Sequence, residues 1–209
     1  MRGVHRDLYR PRCGGIYGKE AEEVKKYELT SETKVFLGKT LYRIKALVQF
    51  GNVNAGDLGG WIEKEENLSQ YGNAWVSGNA EVSGNARVYG NAVVYGNAVV
   101  DGNAWVSGNA EVYGNAEVSG NARVSGNAEV CKIGTVFWIG AIGSRNGTTT
   151  FFRCKDGKIY VSCGCFLGDL EEFSDKVKQT HGDNEHGRVY MLAIEMAKAR
   201  IVEEKNEVH

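Results

Sequence analysis

Residues 72–131 read GNAWVS GNAEVS GNARVY GNAVVY GNAVVD GNAWVS GNAEVY GNAEVS GNARVS GNAEVC, ten consecutive copies of Gly-Asn-Ala-x-Val-x without insertion or deletion. Within each copy, Ala-x-Val alternates small, variable and aliphatic residues, the period-2 pattern of a short strand with one buried face. The x-Gly-Asn that follows joins the two residue types most tolerant of positive φ, so the chain can turn a corner there. Strand and corner at a six-residue period predict a β-helix of triangular section, with three hexads, or 18 residues, per coil. Ten hexads then build a prism roughly 16 Å tall at ~4.8 Å between stacked strands.

The variable residue before each valine points outward, so the three walls can be read directly. They carry Trp75, Val93, Glu111 and Glu129 on the first, Glu81, Val99 and Glu117 on the second, and Arg87, Trp105 and Arg123 on the third. The apolar residues Trp75, Val93, Val99 and Trp105, with Tyr89 and Tyr95 at corners, gather toward the early coils and form the expected oligomer interface. Arg87, Trp105 and Arg123 are stacked neighbours, which predicts a cation–π ladder. No face carries a Thr-x-Thr ladder, which argues against an ice-binding prism.

Open end coils would expose strand edges, so the array needs caps. Upstream, residues 34–37 and 41–50 read as two strands about Gly38-Lys39. Residues 51–70 lead into the array, with Ile62 and Leu68 at the alanine phase of degenerate hexads. Downstream, residues 135–142, 148–153 and 158–162 read as three strands, joined at Asn146-Gly147 and Asp156-Gly157. Asp169 to Glu172 fits a capping box ahead of an amphipathic helix carrying Leu170, Phe173 and Val177. That helix closes at His181-Gly182. A second helix spans 184–202 with Tyr190, Ile194, Ala197 and Ile201 on one side. The expected fold is mainly β. It comprises a basic extension at 1–25 (Arg2, Arg6, Arg10, Arg12), a hairpin and lead-in coil at 26–71, the β-helix at 72–131, and an α+β domain at 132–209. The last is a three-stranded meander covered by two helices.

The array resembles the hexapeptide-repeat, left-handed parallel β-helix family, whose aliphatic residue at i and small residue at i+4 are met by Val76 with Ala80 and Val82 with Ala86. The resemblance implies the left hand and, as in many such proteins, a homotrimer. Over residues 26–202 the chain is also similar to proteins encoded by bacteriophages and prophages. The shared phrases are KKYELTSETKVFLGKTLYRIKAL, GDLGGWIEKEENLS, the GNAxV array, and GSRNGT, GCF and THGDN near the end. That resemblance implies a phage accessory protein in a bacterial cytoplasm and supplies no mechanism.

Composition limits the partners. In 209 residues, 25 Lys and Arg meet 26 Asp and Glu, a net charge of −1 that gives no pull toward nucleic acid or anionic lipid. No apolar run is long enough to span a bilayer, and residues 1–15 lack the hydrophobic stretch of a secretory signal. Five scattered cysteines suit a reducing cytosol.

Many hexapeptide-repeat proteins are acyltransferases, and their chemistry needs a general base. No histidine lies between His5 and His181, and no loop interrupts the hexads to wall a donor cleft. Cys154, Cys163, Cys165, His181 and His186 are candidate zinc ligands, but Cys-Gly-Cys is unlike the usual Cys-x2-Cys knuckle. A Cys165–His181 nucleophile pair competes with a simple buried thiol. The remaining candidate is an anion site. Ser144, Arg145, Asn146 and Thr148 place a guanidinium, hydroxyls and turn amides together, and His181, Asp183 and Asn184 lie at a helix amino terminus. With Cys165 these form the expected ligand-binding set. No catalytic residue, metal or cofactor is expected. The sequence thus points to a non-catalytic, oligomeric binding protein displaying a recognition domain. Its partners would be itself and a host protein or small nucleotide, in the manner of a counter-defence factor. A structural spacer or virion accessory is the alternative, and an acyltransferase the third.

Overall fold

The structure, a computed structural model, describes residues 24–132 and 134–201, so the basic extension lies almost wholly outside the described residues. Three antiparallel or lead-in strands come first: β1 (Tyr27–Phe36), β2 (Lys39–Ala46) and β3 (Leu58–Ile62). A 3-10 turn (Glu65–Asn67) follows, and then the ten hexads, each contributing a two-residue strand.

These rungs build three walls. Wall I stacks β4 (Trp75–Val76), β7 (Val93–Val94), β10 (Glu111–Val112) and β13 (Glu129–Val130). Wall II stacks β5 (Glu81–Val82), β8 (Val99–Val100) and β11 (Glu117–Val118). Wall III stacks β6 (Arg87–Val88), β9 (Trp105–Val106) and β12 (Arg123–Val124). All pairs are parallel and 18 residues apart, as in Trp75↔Val93, Glu81↔Val99 and Arg87↔Trp105. Every invariant alanine and valine of the hexads is at most 1% exposed, which confirms the inward stacking and the 18-residue coil.

Glycine and asparagine divide the corner between them. The ten corner glycines take φ between 64° and 73°, and none of the hexad asparagines has positive φ. Asparagine recurs because its side-chain amide donates to the asparagine one coil on. The bonds run at 3.1–3.2 Å, for example Asn85 to Asn103 and Asn103 to Asn121. The expectation that both residues serve the backbone turn is corrected accordingly.

Both ends of the column are sealed by side chains. Inside the array each alanine carbonyl accepts the N–H of the outward residue one coil earlier, as in Trp75 N to Ala92 O at 3.0 Å. The first coil has no complete predecessor. There the Lys26 ammonium donates to Ala74 O (2.8 Å) and Gly72 O (3.4 Å), and the Asn67 amide donates to Ala86 O (2.8 Å) and Gly84 O (3.2 Å). At the far end the orphan is a donor, Arg123 N–H, and it meets Thr150 Oγ1 at 2.9 Å. These backbone groups are thus paired even where the repeat stops. Burial lowers the Lys26 pKa to about 8.

The hairpin strands extend wall II in the order β1-β2-β3-β5-β8-β11. β1 begins at Tyr27, earlier than the sequence suggested, and fully buried Tyr27 packs edge-on to Trp75 with its hydroxyl donating to Leu68 O. Ile62 pairs with Val82 and Leu68 with Val88, both 20 residues apart. The lead-in coil therefore runs at the valine phase, not the alanine phase. Two extra residues between Leu68 and Val76 loop out, with Tyr71 70% exposed at the tip.

The terminal domain holds a four-stranded antiparallel sheet: β14 (Val136–Ile142), β15 (Gly147–Arg153), β16 (Ile159–Cys163) and β17 (Phe166–Asp169). The fourth strand extends the expected three-stranded meander through a two-residue turn at Gly164-Cys165. One face of the sheet closes the prism, with Phe152 in the alanine–valine core. The other face, with Phe151 and Val161, packs on α1 (Leu170–His181) and α2 (Glu185–Arg200). Asp169 and Glu172 form the capping box, and the Glu172 N–H together with Lys158 holds the Asp169 carboxyl below its usual pKa. No described helix is long and apolar enough to cross a membrane.

Candidate functional site

Tyr190 on α2 is where the two sequence-predicted turns come together. The turn at residues 143–146 joins β14 to β15, and Gly143 sits against the Tyr190 hydroxyl so closely that a Cβ there would lie 1.9 Å from it. Ser144, Arg145 and Asn146 project from this braced turn and are exposed, while Thr148 is half-buried. Asn146 adopts φ 48°, a left-handed conformation that asparagine tolerates. Among the described residues Arg145 forms no ion pair or hydrogen bond.

The other face of Tyr190 takes the helix junction. The His181 ring stacks on it at 5.7 Å, and His186 meets His181 edge-on at 5.8 Å. Asn184 caps α2 by accepting Gly187 N–H at 3.0 Å, so its side chain has a structural role; Asp183 is exposed. Beneath the hydroxyl, Cys163 Sγ lies 3.6 Å from Tyr190 Oη and accepts from Thr149 Oγ1 at 3.2 Å. Burial and the Cys163 contact push the Tyr190 pKa up to about 12, so the phenol is neutral. The sequence read Tyr190 as a core residue. It is also the post that fixes the turn on one side and His181 on the other.

The described cysteines do not assemble a reactive site. Cys165 stands exposed at its hairpin turn and forms no hydrogen bond with His181. Cys154 is buried under Ala128, and burial pushes its thiol up to about 12, which suppresses the thiolate. Among the described residues no three His, Cys, Asp or Glu side chains are grouped to hold a metal ion. A cleft of about 510 Å³ that sequence reasoning did not find opens beside α1 and α2, lined by Lys158, Asp169, Ser174, Lys178 and Ile194 among others. Two of its lysines are already paired, Lys158 with Asp169 (3.0 Å) and Lys178 with Asp175 (3.8 Å).

The expected apolar interface is dispersed over the prism. Trp75 is 5% exposed because Tyr27 and Phe50 pack on it, so the hairpin covers it. Val93 lies above it on wall I, Val99 on wall II, and Trp105 on wall III. Tyr95 at a corner stacks on Tyr113 at 4.9 Å, and Tyr89 meets Trp105 edge-on at 6.1 Å. Of the expected cation–π ladder one contact is present, Arg123 over Trp105 at 4.9 Å. Wall III alone has every outward residue exposed: Arg87, Trp105 and Arg123.

A family model for the YdcK beta solenoid repeat matches residues 80–96, one coil of the array. None of the curated proteins matches the chain. In its repeat the chain is thus similar to the YdcK beta solenoids, and it is a β-solenoid repeat protein with a separate antiparallel sheet and two C-terminal helices.

Proposed function

We propose that this protein is a non-catalytic, self-associating binding protein whose rigid column displays the terminal domain for recognition of an anionic group. The observation that supports this most is Arg145, a guanidinium without a carboxylate partner among the described residues, held out on a turn that Tyr190 braces from below. Ser144 and Asn146 beside it supply further hydrogen-bonding groups, and a guanidinium fork suits phosphate or carboxylate. Its ligand class is a phosphorylated small molecule such as a nucleotide, or an acidic patch on a host protein. Given the likeness to phage and prophage proteins, its role is to sequester that partner in a bacterial cytoplasm. The uninterrupted hexads, which offer no cleft and no histidine on the prism, favour binding over acyl transfer.

The test is native mass spectrometry of protein purified from its host, beside Arg145→Ala. A bound anionic species or host protein lost in the variant, with subunit count and melting temperature unchanged, supports the reading. Equal occupancy in both proteins refutes it. The spacer reading is favoured by the sealed ends, which fix the length of the column; it requires that Arg145→Ala change nothing in vivo.

A further inference from the structure

The outward residues of walls II and III are complementary, level by level. From the first coil to the third, wall II presents Glu81, Val99 and Glu117, and wall III presents Arg87, Trp105 and Arg123. At each level one wall is acidic where the other is basic, and both are apolar in the middle. The two members of each level are six residues apart in sequence, so they stand at the same height on the column.

We infer that wall III of one copy docks on wall II of a second copy, with the column axes parallel and the coils level. This rests on the self-association in the proposed function and names the surface that carries it. Glu117 and Arg123 form the principal ion pair. Glu117 is exposed, and among the described residues neither it nor Arg123 has an ion-pair partner. Trp105, 37% exposed, lies against Val99, which is half-buried. The first level contributes least, because Glu81 is already bound by Lys34 at 2.6 Å and that ammonium faces the incoming Arg87. Pairing wall III with itself would set Arg87 against Arg123, and pairing wall II with itself would oppose glutamates. A two-fold contact on either wall is therefore disfavoured, and the head-to-tail contact is the one the charges allow.

Walls II and III share a corner, so repeated contacts turn about that corner and close a ring. The wall is only roughly 16 Å tall at ~4.8 Å per rung, so each contact is small and assembly is concentration-dependent. Rim charges of this kind are screened by salt, and the association weakens as salt rises.

The test is sedimentation velocity at tens of micromolar with four proteins: wild type, Arg123→Glu, Glu117→Arg and the double exchange. The inference expects a discrete oligomer for wild type, monomers for both single variants, and the oligomer restored in the double exchange. The substituted positions are exposed, and unchanged circular dichroism verifies the fold; Trp105→Asp, also expected to be monomeric, is a second probe. A wild-type monomer overturns self-association and this surface together. A wild-type oligomer that survives both single exchanges, or is not restored by the double exchange, overturns the surface and leaves self-association standing.

Discussion

Asn67→Ala tests whether side chains really substitute for a missing coil. Asn67 is fully buried, its Nδ2 donates to Ala86 O and Gly84 O, and its Oδ1 accepts Lys64 N–H at 2.9 Å. Alanine removes all three bonds and strands the Ala86 carbonyl where water does not reach. One buried orphan costs ~2 kcal/mol, and two partly buried groups about 0.5–1 each, so the variant should lose about 3–4 kcal/mol. Asn67→Asp should be worse, since it opposes two carbonyls with a carboxylate. The control is Asn103→Ala, which loses two exposed ladder bonds at 3.1 Å that water replaces, and should cost about 1 kcal/mol or less. Urea unfolding followed by tryptophan fluorescence reads both, with the m-value expected to hold. An Asn67→Ala loss no larger than that of Asn103→Ala would refute the capping argument.

Three further outcomes follow from the same structure. Lys26 titrates near 8 when folded and near its ordinary 10.5 when unfolded, so the folded state binds fewer protons between those values. Stability should therefore rise by on the order of 3 kcal/mol as pH climbs from below 8 toward 10, a slope that Lys26→Met removes in thermal melts. Above pH 10 the trend reverses, because burial raises the Tyr27 pKa and only the unfolded state ionises there. Gly102→Ala forces φ 65° on an L-residue and sets a Cβ 2.9 Å from Gly120 N, costing about 2–4 kcal/mol in urea melts. Gly157→Ala, with open space around φ 80°, should cost only about 1–2 kcal/mol. Deleting residues 90–107, one whole coil, should leave a cooperative fold shortened by ~4.8 Å in small-angle scattering. Deleting residues 90–95 should instead turn the terminal domain by a third of a revolution relative to the hairpin.

The prism was legible because its determinants are local and repeated: alanine and valine six apart state the buried face ten times over. What escaped was stated once or depended on distant partners. Nothing around Lys26 or Asn67 marks a capping residue, since their acceptors are 17 to 48 residues away. The two-residue slip before Val76 broke the phase silently, so Ile62 and Leu68 were assigned by counting where pairing decides. Cys-Gly-Cys drew attention as a chelation question, which hid the turn that makes the fourth strand. At the candidate site, residue chemistry alone singles out Ser144, Arg145 and His181. That one tyrosine supports both turns is a tertiary fact; the only local clue was Gly143, a small residue where a phenol needed room.

The chemistry at the column's two extremities differs, with ammonium and amide at one and hydroxyl oxygen at the other, and neither extremity matches an interior rung. The intact protein therefore cannot propagate by adding coils of other molecules. A chain truncated within the hexads would carry a bare, flat, repetitive edge, the geometry that seeds cross-β fibrils. Sealing by a handful of residues is what keeps a sequence this repetitive a finite particle in a crowded cell.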